Sequence, residues 1–418
     1  MGRLSDDCFA LGDRLLSVEE AVAEFRSRLA AVTAAETVPL AQAEDRFLAE
    51  DLVADRSVPP HANAAVDGFA FHFDDLTPGA PTVLPVAGRA AAGHPLAGPV
   101  TRGTAIRIFT GAPLPAGPDT VVMQEDCAVV GDRVTLPPGL RRGAHVRQAG
   151  DDIRAGDTVL TAGRRLGPAE IGVAASLGRA ALPVRRPLRV AVLSTGDELR
   201  DPGMPVAGGQ ITDANRYLLA ALLRRLGCDV ADRGIVPDRA DAVRSALTAA
   251  TAEADAVVTS GGVSVGDEDH VKAALEAAGG RLYHWRLAIK PGKPVALGQI
   301  RGVPLLALPG NPVAAMVTFL LVARPLLLHL AGAEPLPLRR FPVAAGFAHG
   351  KKPGRREFLR AVLETDPSGA LVAHRHGRDG AGTLSSLAGA EGLVELTEDS
   401  VGVAPGDPVA YIPLSALI

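Results

Sequence analysis

Cysteine is scarce in this sequence. Cys8, Cys127 and Cys228 are the three cysteines in 418 residues, and they lie far apart with no CxxC spacing. An odd and scattered set of thiols argues against a disulfide framework and against a thiolate zinc site. The apolar core typical of a signal peptide is also absent from residues 1–16. We therefore expect a protein of the reducing cytoplasm.

Aromatic side chains and excess positive charge are also missing. Aromatic residues make up 4% of the chain and the formal net charge is −4, so no basic or base-stacking surface is expected. The most apolar stretch, residues 312–330, contains Arg324 and Pro325 and is short for a membrane span. It predicts a buried helix, and we expect neither a nucleic-acid nor a membrane partner.

Fingerprints of common nucleotide and metal sites are absent as well. No GxGxxG follows the first predicted strand of the α/β region, no GxxxxGK[ST] occurs, and the ten histidines form no HExxH. These absences weaken NAD-binding, P-loop and zinc-protease interpretations. His374 and His376 are close in sequence, but an exposed strand explains them better than a metal site.

The chain does contain enough apolar residues for several cores. Hydrophobic residues make up 47% of its 418 residues, a length that corresponds to roughly two to four domains. Short apolar runs from about residue 57 to 148 predict a β-rich block inserted into a flanking domain. Alternating strands and helices from residue 187 to about 330 predict a parallel sheet with helices on both faces. Residues 334–418 read as short strands and turns, which predicts a small β-barrel.

One helix is marked clearly near the start of the chain. Ser17 and Glu20 have the spacing of a capping box, and Val22, Phe25 and Leu29 follow at helical intervals. This pattern predicts an amphipathic helix that begins the fold.

Polar and glycine-rich segments follow the predicted strands of the α/β region, where ligands of open α/β sheets bind. Backbone N–H groups and hydroxyls at such turns bind anions, and the carboxylates nearby require a hard cation. Phosphate together with Mg²⁺ is therefore indicated. The expected binding residues are Ser194, Thr195, Gly196, Ser260, Gly261, Gly262, Ser264, Pro309, Gly310, Asn311 and Pro312.

A structural explanation stays open for each turn taken alone, because Asp213 and Asp238 can simply cap helices. Four polar strand ends together favour a site. Lys290 and Lys293 flank a rigid turn and are either phosphate binders or part of a solvated hairpin. The basic turn at residues 351–356 has the same two explanations, and there the structural one is favoured.

Eight motifs follow one another over about 250 residues. They are NAAVDGFA (63–70), IFTGAP (108–113), VVMQE (121–125), GDDI (150–153), STGDEL (194–199), SGGVSVG (260–266), KPGKP (290–294) and LPGNP (308–312). Together they resemble the motifs of the molybdopterin molybdenumtransferases, or molybdenum insertases, a family that includes the catalytic part of gephyrin. The resemblance covers nearly the whole chain.

The resemblance implies an α/β multidomain fold in four parts. These are a discontinuous dimerisation domain at residues 1–55 and 150–185, an inserted β-rich domain at 56–149, a three-layer α/β molybdopterin-binding domain at 186–332, and a C-terminal β-barrel domain at 333–418. It also implies a homodimer, in which the Ser17 helix and residues 151–183 form an extended interface.

The implied reaction joins molybdate to adenylylated molybdopterin, releases AMP and leaves molybdenum on the pterin dithiolene. Two positions depart from the family pattern, because Ala62 and Ala64 stand where the family often has Asp and Ser. The positions that match the family's functional residues are Asp67, Thr110, Asp152, Glu198, Asp238, Asp269, Lys290, Lys293, Pro309 and Pro312.

The chemistry suits these residue types. Lysines and backbone donors can hold the molybdate dianion. Converting an oxo group into water requires protons, which Asp152 or Glu198 could deliver if its pKa were raised. Asp238 and Asp269 are the expected Mg²⁺ ligands at the diphosphate, because we expect their two strand ends to be neighbours.

Two other functions stay open. A molybdopterin adenylyltransferase shares the α/β domain and acts one step earlier, and a non-catalytic molybdopterin-binding scaffold would do neither reaction. A separate adenylyltransferase is also an expected partner. Release of AMP that depends on molybdate distinguishes the insertase from both alternatives.

Overall fold

The computed structural model describes residues 15–27, 29–261, 270–334 and 337–417. The predicted site residues Gly262, Ser264 and Asp269 lie outside the described residues. Elements before the α/β region are β1 (Leu15–Leu16), α1 (Val18–Arg26), β2 (Ala35–Pro39), β3 (Leu52–Val53), β4 (Asn63–Ala64), β5 (Gly68–Phe71), β6 (Thr82–Ala90), β7 (Ala105–Ile108), β8 (Thr120–Met123), β9 (Ala128–Val130), β10 (Arg133–Leu136), β11 (Val146–Arg147), β12 (Thr158–Leu160), α2 (Pro168–Ser176) and β13 (Ala181–Arg185).

The α/β region and the C-terminal region follow. Their elements are β14 (Arg189–Thr195), β15 (Leu199–Arg200), β16 (Ile211–Thr212), α3 (Asn215–Arg225), β17 (Asp229–Val236), α4 (Ala240–Glu253), β18 (Ala256–Ser260), α5 (His270–Ala277), β19 (Arg281–Leu287), β20 (Ile289–Lys290), β21 (Pro294–Ile300), β22 (Val303–Leu308), α6 (Pro312–Thr318), α7 (Arg324–Leu330), β23 (Phe341–Ala345), β24 (His349–Gly350), β25 (Arg356–Thr365), β26 (Leu371–Arg375), α8 (Ser385–Ala388), β27 (Gly392–Leu396), β28 (Gly402–Val403) and β29 (Pro408–Pro413).

The main sheet has the strand order β1-β19-β21-β22-β18-β14-β17. The four strands β22, β18, β14 and β17 run parallel, as predicted from the alternation of strands and helices. By contrast, β21 is antiparallel to both of its neighbours. Apolar runs predict that a strand is buried but not its direction, so the sequence did not predict this mixed half of the sheet.

Apolar side chains cover both faces of the main sheet. Helices α1, α3, α6 and α7 pack on one face, and α4 and α5 pack on the other. This arrangement confirms the predicted three-layer α/β architecture.

Helix α1 has the predicted N-terminal cap. The Oγ of Ser17 accepts the N–H of Glu20 at 3.1 Å, and Oε2 of Glu20 accepts the N–H of Ser17 at 2.9 Å. The helix ends at Arg26, so Leu29 lies beyond it rather than on its apolar face.

The apolar face of α1 is covered by its own chain. Val18, Ala21 and Phe25 are buried in the core that contains α7, and β1 just before the helix pairs with β19 of the main sheet. The apolar face of α1 is therefore not free to bind a second copy, and a contribution of this helix to a dimer interface stays a prediction. Amphipathicity shows that a face is buried, but it does not show which chain buries it.

The most apolar stretch forms one continuous helix from Pro312 to Leu330 in which Phe319–Ala323 adopts a π-helical turn. Pro325 lacks an N–H donor and its ring crowds the carbonyl one turn earlier, so the wider π-turn lets the helix continue through it. Length and composition alone would allow this helix to cross a membrane, but 78% of its apolar window is buried inside the protein. The predicted buried helix is confirmed.

The β-rich module, residues 63–147, contains a sheet of order β8-β5-β7-β6-β10-β9 with an apolar core on each face. On either side of it in sequence, β2 pairs with β13 and β3 pairs with β12, so the flanking segments contact each other. The exact division of the chain into four domains remains our prediction.

The C-terminal module, residues 341–413, is a closed barrel of β25, β26, β23, β29 and β27, in which β27 pairs back to β25. The predicted barrel is confirmed. It is joined to the α/β region through β20, because Ile289 and Lys290 pair in parallel with Arg356 and Glu357 of β25. This contact places the barrel against one end of the main sheet.

Candidate functional site

Four parallel strands end side by side at one edge of the main sheet. Ser194 of β14 lies opposite Ser260 of β18, and Ser260 lies opposite Leu308 of β22. On the other side, Thr195 of β14 lies opposite Val236 of β17. Neighbouring strands are about 4.8 Å apart, so the four ends span roughly 14 Å. An extended ligand can contact all four ends at once.

Gly261 allows two of these strand ends to approach closely. Its φ is +89°, and a Cβ at this position would lie 2.9 Å from the carbonyl oxygen of Thr195. Its N–H donates to the carbonyl of Leu308 at 3.1 Å. A larger residue would push β14 and β18 apart at the point where the ligand is expected.

Asn215, the first residue of α3, connects two of the predicted turns. Its Nδ2 donates to Oγ of Ser260 at 2.8 Å and to the carbonyl of Gly310 at 2.7 Å. Within the described residues, the Oδ1 of Asn215 and the Oγ of Ser194 are buried without a hydrogen-bond partner. Buried polar atoms of this kind are rare, and both lie at the same sheet edge.

Asp238 does not lie where the sequence placed it relative to the glycine-rich turn. We expected the ends of β17 and β18 to be neighbours, but β14 lies between them, so they are about 10 Å apart. Asp238 instead lies beside Asp197, whose Oδ1 accepts its backbone N–H at 3.0 Å. Arg239, not Asp238, is the N-cap residue of α4.

No cluster of three or more metal-ligating side chains is found in the part of the chain that the structure describes. Asp197 and Asp238 nevertheless place two carboxylates at adjacent strand ends. Mg²⁺ in phosphate sites commonly uses only one or two carboxylates, with water and phosphate oxygens completing its shell. The donor set therefore fits Mg²⁺ bound together with a phosphate ligand.

Asp213, the other predicted cap, lies one residue before the helix cap. Ala214 is the N-cap residue of α3. Asp213 accepts the backbone N–H of Arg216 at 3.2 Å and pairs with its guanidinium at 3.1 Å. Asp213 therefore stabilises the start of α3 through a buried ion pair.

A cavity of about 480 Å³ lies between this sheet edge and the barrel. The α/β region and the barrel both contribute to its wall, so neither region alone forms it. Its polar lining consists of Lys290, Asn311, His349, Glu357, Arg360 and Asp379, and its backbone lining includes Gly261, Gly292, Pro309 and Gly310. Of the predicted binding residues, Gly261, Lys290, Pro309, Gly310 and Asn311 thus meet in one place.

The lysine turn is held against the long apolar helix by Gly292. Its φ is +112°, and a Cβ there would lie 2.5 Å from Oγ1 of Thr318. The barrel is held on the opposite side of the cavity, because the N–H of Val313 donates to the carbonyl of Ala381 at 2.9 Å. The cavity wall is therefore braced by contacts from both regions.

Glu357 is a buried carboxylate at the floor of the cavity, 4% exposed. It accepts hydrogen bonds from Nζ of Lys290 at 3.2 Å and from Nε2 of His349 at 3.0 Å. Burial by itself raises the pKa of Glu357, but these two hydrogen bonds and the charges of both donors lower it overall. Glu357 is therefore ionised at neutral pH and orients both side chains.

Arg360 is a buried cation that has no ion pair with a carboxylate of the described residues. It is 6% exposed, its Nη2 donates to the carbonyl of Arg378 at 2.7 Å, and its Nε has no partner among the described residues. Burial lowers the pKa of Arg360, and the charge of Asp379 only partly opposes this. An arginine stays charged even so, and a buried unpaired guanidinium in a cavity favours an anionic ligand.

Sequence reasoning missed Asn215, His349, Glu357 and Arg360. Arg360 and Glu357 stand in the apolar strand that includes Phe358 and Leu359, and charged residues inside a buried strand are a detectable signal. Their link to Lys290 was not detectable, because it depends on pairing between β20 and β25 across 67 residues of sequence.

Asp67 and Thr110 lie together, but in the β-rich module. The N–H and Oγ1 of Thr110 both donate to Oδ1 of Asp67 at 2.8 Å. The backbone hydrogen bond and then the hydroxyl hydrogen bond hold the pKa of Asp67 below its usual range. Neither residue lines the cavity in a single chain.

Asp152 and Glu198 are both exposed. Neither side chain lines the cavity between the main sheet and the barrel. Their backbone is well held, since the N–H of Asp152 donates to Val58 at 3.1 Å and the carbonyl of Glu198 accepts from Ile211 at 2.8 Å. Their predicted catalytic roles remain predictions.

The remaining predicted residues are placed as follows. Lys293 is exposed at the lysine turn, Pro312 is the first residue of α6, and Gly196 is buried directly after β14. Nζ of Lys351 donates to the carbonyls of Thr397 and Ser400 at 2.8 Å each, which agrees with the structural interpretation of the 351–356 turn. His374 lies on strand β26, and the described residues around it and His376 form no metal cluster.

Three family models match this chain along its length. Residues 16–178 match the MoeA N-terminal region (domain I and II), residues 191–329 match the "probable molybdopterin binding domain", and residues 343–414 match the MoeA C-terminal region (domain IV). The matched regions follow the modules of the fold.

Relatives and solved structures agree with these models. The chain is 36% identical over 406 residues to a Haemophilus influenzae protein named molybdopterin molybdenumtransferase, covering 97% of this chain and 100% of that protein. It is 38% identical over 379 residues to molybdopterin molybdenumtransferase 2 of Mycobacterium tuberculosis, covering 88% and 93%. A crystal structure of the molybdopterin biosynthesis moeA protein of Pyrococcus horikoshii matches 96% of this chain and 100% of its own, with a TM-score of 0.81 and 27% identity. The chain belongs to the molybdopterin molybdenumtransferase family.

Proposed function

We propose that this protein inserts molybdate into adenylylated molybdopterin, releases AMP and leaves molybdenum on the pterin dithiolene. The observation that carries the proposal is the cavity between the main sheet and the barrel, where Arg360 is a buried cation without a carboxylate partner among the described residues. A dianion such as molybdate offsets the charge of such a group. The family membership of the chain supplies the reaction.

In this proposal, molybdate binds in the cavity. Lys290 and Arg360 supply positive charge in the cavity wall, Lys293 is exposed at the adjoining lysine turn, and the turn from Pro309 to Pro312 supplies backbone donors. The charge of Lys290 is partly offset by Glu357 at 3.2 Å, whereas Arg360 has no such partner within the described residues. We therefore assign the larger share of molybdate attraction to Arg360.

In the same proposal, the adenylyl diphosphate binds at the edge of the main sheet. Ser194 and Thr195 end β14 and Gly196 follows it, while on the adjacent strand Ser260 ends β18 and Gly261 follows it. Donors on adjacent strand ends can follow a diphosphate along its length. Because this edge adjoins the cavity at Gly261 and Gly310, the two halves of the substrate would be held side by side.

A magnesium ion is the proposed cofactor. Asp238 and Asp269 are its proposed ligands, and Asp197, which contacts the backbone of Asp238, is an additional candidate. When bound, Mg²⁺ neutralises the charge of the diphosphate. The protein's carboxylates hold and orient the ion at the strand ends.

The two alternative functions use less of the molecule. An adenylyltransferase needs only the α/β region, so it gives no role to the barrel residues that line the cavity. A non-catalytic scaffold does not require buried charges that face a small ligand. The involvement of Arg360 and Glu357 from the barrel in the cavity wall favours the insertase.

The test is to supply purified protein with adenylylated molybdopterin and to measure free AMP. We expect AMP only when molybdate is added, and none with sulfate, a tetrahedral dianion that lacks molybdenum chemistry. Consumption of ATP would favour the adenylyltransferase. Binding without AMP release would favour the scaffold.

We also propose a homodimer in the cytoplasm that receives its substrate from a separate adenylyltransferase. The proposed interface is formed by residues 151–183 and by the Ser17 helix, whose apolar face is covered by its own chain so that another face would make the contact. An obligate interface buries on the order of 2,000 Å² or more. Light scattering should give twice the 43.0 kDa mass of the chain. A monomer at micromolar concentration would contradict the dimer.

A further inference from the structure

His349 occupies a distinctive position in the cavity wall. It comes from β24 of the barrel, and its side chain is 13% exposed. Its Nε2 lies 3.0 Å from Oε2 of Glu357, and the Oε1 of the same carboxylate contacts Nζ of Lys290 at 3.2 Å. Within the described residues His349 makes no second hydrogen bond, so Nδ1 keeps its proton-binding capacity.

The hydrogen bond to Glu357 determines how His349 carries protons. A carboxylate accepts the N–H at Nε2, so in the neutral ring this nitrogen holds the proton and Nδ1 is the free base. Protonation of the ring then places the second proton on Nδ1. Exchangeable protonation is therefore confined to the nitrogen that does not face Glu357.

The carboxylates and the guanidinium of the cavity do not exchange protons near neutral pH. Arg360 keeps its proton there, and Nζ of Lys290 donates to Oε1 of Glu357 at 3.2 Å. The pKa values of Glu357 and Asp379 are both lowered, for Asp379 mainly by its hydrogen bond from Arg375, so both stay ionised. Among the described residues that line the cavity, His349 is the one histidine, and histidine is the side chain that enzymes use most often as a general acid or base.

We propose that His349 is the catalytic residue that carries the proton to the oxo group of molybdate that leaves as water. The proposal rests on the function proposed above. Glu357 acts as its positioning residue. Asp152 and Glu198, which the sequence suggested for this task, are exposed and do not line the cavity.

The step balances without an added reactant. Molybdate and the pterin dithiol give a trioxo-molybdenum dithiolene and one water. Two Mo–S bonds form, one Mo–O bond breaks, and molybdenum stays hexavalent. His349 in its protonated form gives one proton to the leaving oxo group, and the neutral ring then takes a proton from the first thiol. The ring gives this proton to the resulting hydroxo group, which leaves as water, and takes a proton from the second thiol. In the net reaction both protons of the water therefore come from the dithiol.

Charges around His349 connect its protonation to the substrate. The charged groups that face it or adjoin it are Lys290, Lys351, Glu357, Arg360 and Asp379. Lys290 and Arg360 disfavour a positive ring, whereas Glu357 and a molybdate dianion favour it. The proton donor thus forms most readily when molybdate is bound, and by the same coupling molybdate binds more tightly to the protonated ring. The pH dependence of kcat is the readout of proton donation.

The first experiment compares His349→Asn with wild type over pH 6 to 9. Both AMP and molybdenum-loaded pterin are measured. We expect kcat to fall by about 100-fold, the lower range for loss of a general acid, while KM for molybdate changes less than about threefold. Wild-type kcat should decline as the pH rises, and the variant should lose this decline. His374→Asn, on the exposed surface of the same barrel, is the matched control and should keep full activity.

A second experiment separates proton transfer from structure. His349→Ala removes the ring. Added imidazole should raise kcat of this variant at least tenfold, because a free imidazole can occupy the vacated space. A residue that only ties two strands together would not be rescued. Glu357→Gln, which keeps the shape but removes the charge, should lower kcat and shift the pH profile.

Three results would overturn the inference. One is an unchanged kcat and pH profile in His349→Asn. Another is a rise in KM alone, which would make His349 a binding residue. The third is the absence of imidazole rescue in a folded His349→Ala protein. If wild type itself releases no AMP with molybdate, the proposed function fails, and this inference fails with it.

Discussion

The cavity beneath the barrel and the Asp67–Thr110 turn of the β-rich module hold their charges in opposite ways. In the cavity, Glu357 and Arg360 are 4% and 6% exposed, and their charges act through a low-dielectric surrounding. The carboxylate of Asp67 is stabilised by two hydrogen bonds from one residue, Thr110, at a turn that no second module covers in a single chain.

The difference shows which part of the site a single chain completes. Charges act strongly where water is excluded and weakly where it is not. The cavity therefore has the properties of a binding site within a single chain. The Asp67–Thr110 turn instead holds a carboxylate in a fixed position that is open to solvent. Both regions carry motifs of the family, so motif strength alone does not distinguish them.

The largest effect is expected at the sheet edge beside the cavity. If Asp238 and Asp269 hold Mg²⁺, Asp238→Asn and Asp269→Asn should each lower molybdate-dependent AMP release by about 100-fold, the scale of one lost electrostatic group. Stability should change little, because Asn retains the shape of Asp. The rate is measured against Mg²⁺ concentration.

Asp229→Asn is the matched control for Asp238, because Asp229 begins β17 and Asp238 follows its other end. It should leave the rate unchanged. Near wild-type turnover of Asp238→Asn with the same Mg²⁺ dependence would remove the metal assignment. The insertase proposal would then stand on the cavity alone.

A somewhat smaller effect is expected at Arg360. Arg360→Ala should raise KM for molybdate by about 10- to 100-fold, the range for one charged hydrogen-bonding group. Arg360→Lys keeps the charge but loses the planar guanidinium, so its KM for molybdate should lie between that of wild type and that of Arg360→Ala. Arg244→Ala is the control, because Arg244 is an exposed side chain of α4, and this variant should keep the wild-type KM for molybdate. An unchanged KM in Arg360→Ala would show that the buried cation has a structural role.

A smaller effect on AMP release is expected at the Asp67–Thr110 turn. Asp67→Asn removes the charge but retains an oxygen that can accept from Thr110, so we expect AMP release to fall by about tenfold, the scale of one charge-assisted hydrogen bond. Asp132→Asn, exposed in the same module, should have no effect. A loss of 100-fold or more would mean that another surface covers Asp67 during turnover, and the contrast with the cavity would disappear.

Much of this architecture could be predicted from the sequence. The four parallel strands, the capped α1, the buried 312–330 helix and the barrel each left a local pattern of periodicity, caps or turns. The strand ends could be predicted to gather ligand-binding residues because parallel strands end at the same edge.

What could not be predicted depends on contacts between distant segments. The order of β17, β14 and β18 separates Asp238 from the glycine-rich turn, and no local pattern encodes that order. The apolar face of α1 was detectable, but not that β1 and α1 belong to the core of the main sheet. The same applies to Glu357, whose two partners come from β20 and β24.

The smallest expected effect concerns stability and distinguishes the cavity's carboxylate from an exposed one. The pKa of Glu357 is lowered in the folded protein, because hydrogen bonds from His349 and Lys290 outweigh burial. A lowered pKa stabilises the fold above the unfolded-state value, near 4.3, and this stabilisation is lost as the pH falls through the folded value. Glu357→Gln should therefore melt roughly 2–6 °C below wild type at pH 7, and the difference in melting temperature should narrow as the pH falls below about 4.3. Glu364→Gln, on the exposed end of the same strand, should show no such gap. A difference between Glu357→Gln and wild type that stays constant as the pH is lowered well below about 4.3 would mean that shape, not charge, explains the role of Glu357, and the cavity would then resemble the open turn more closely than its burial suggests.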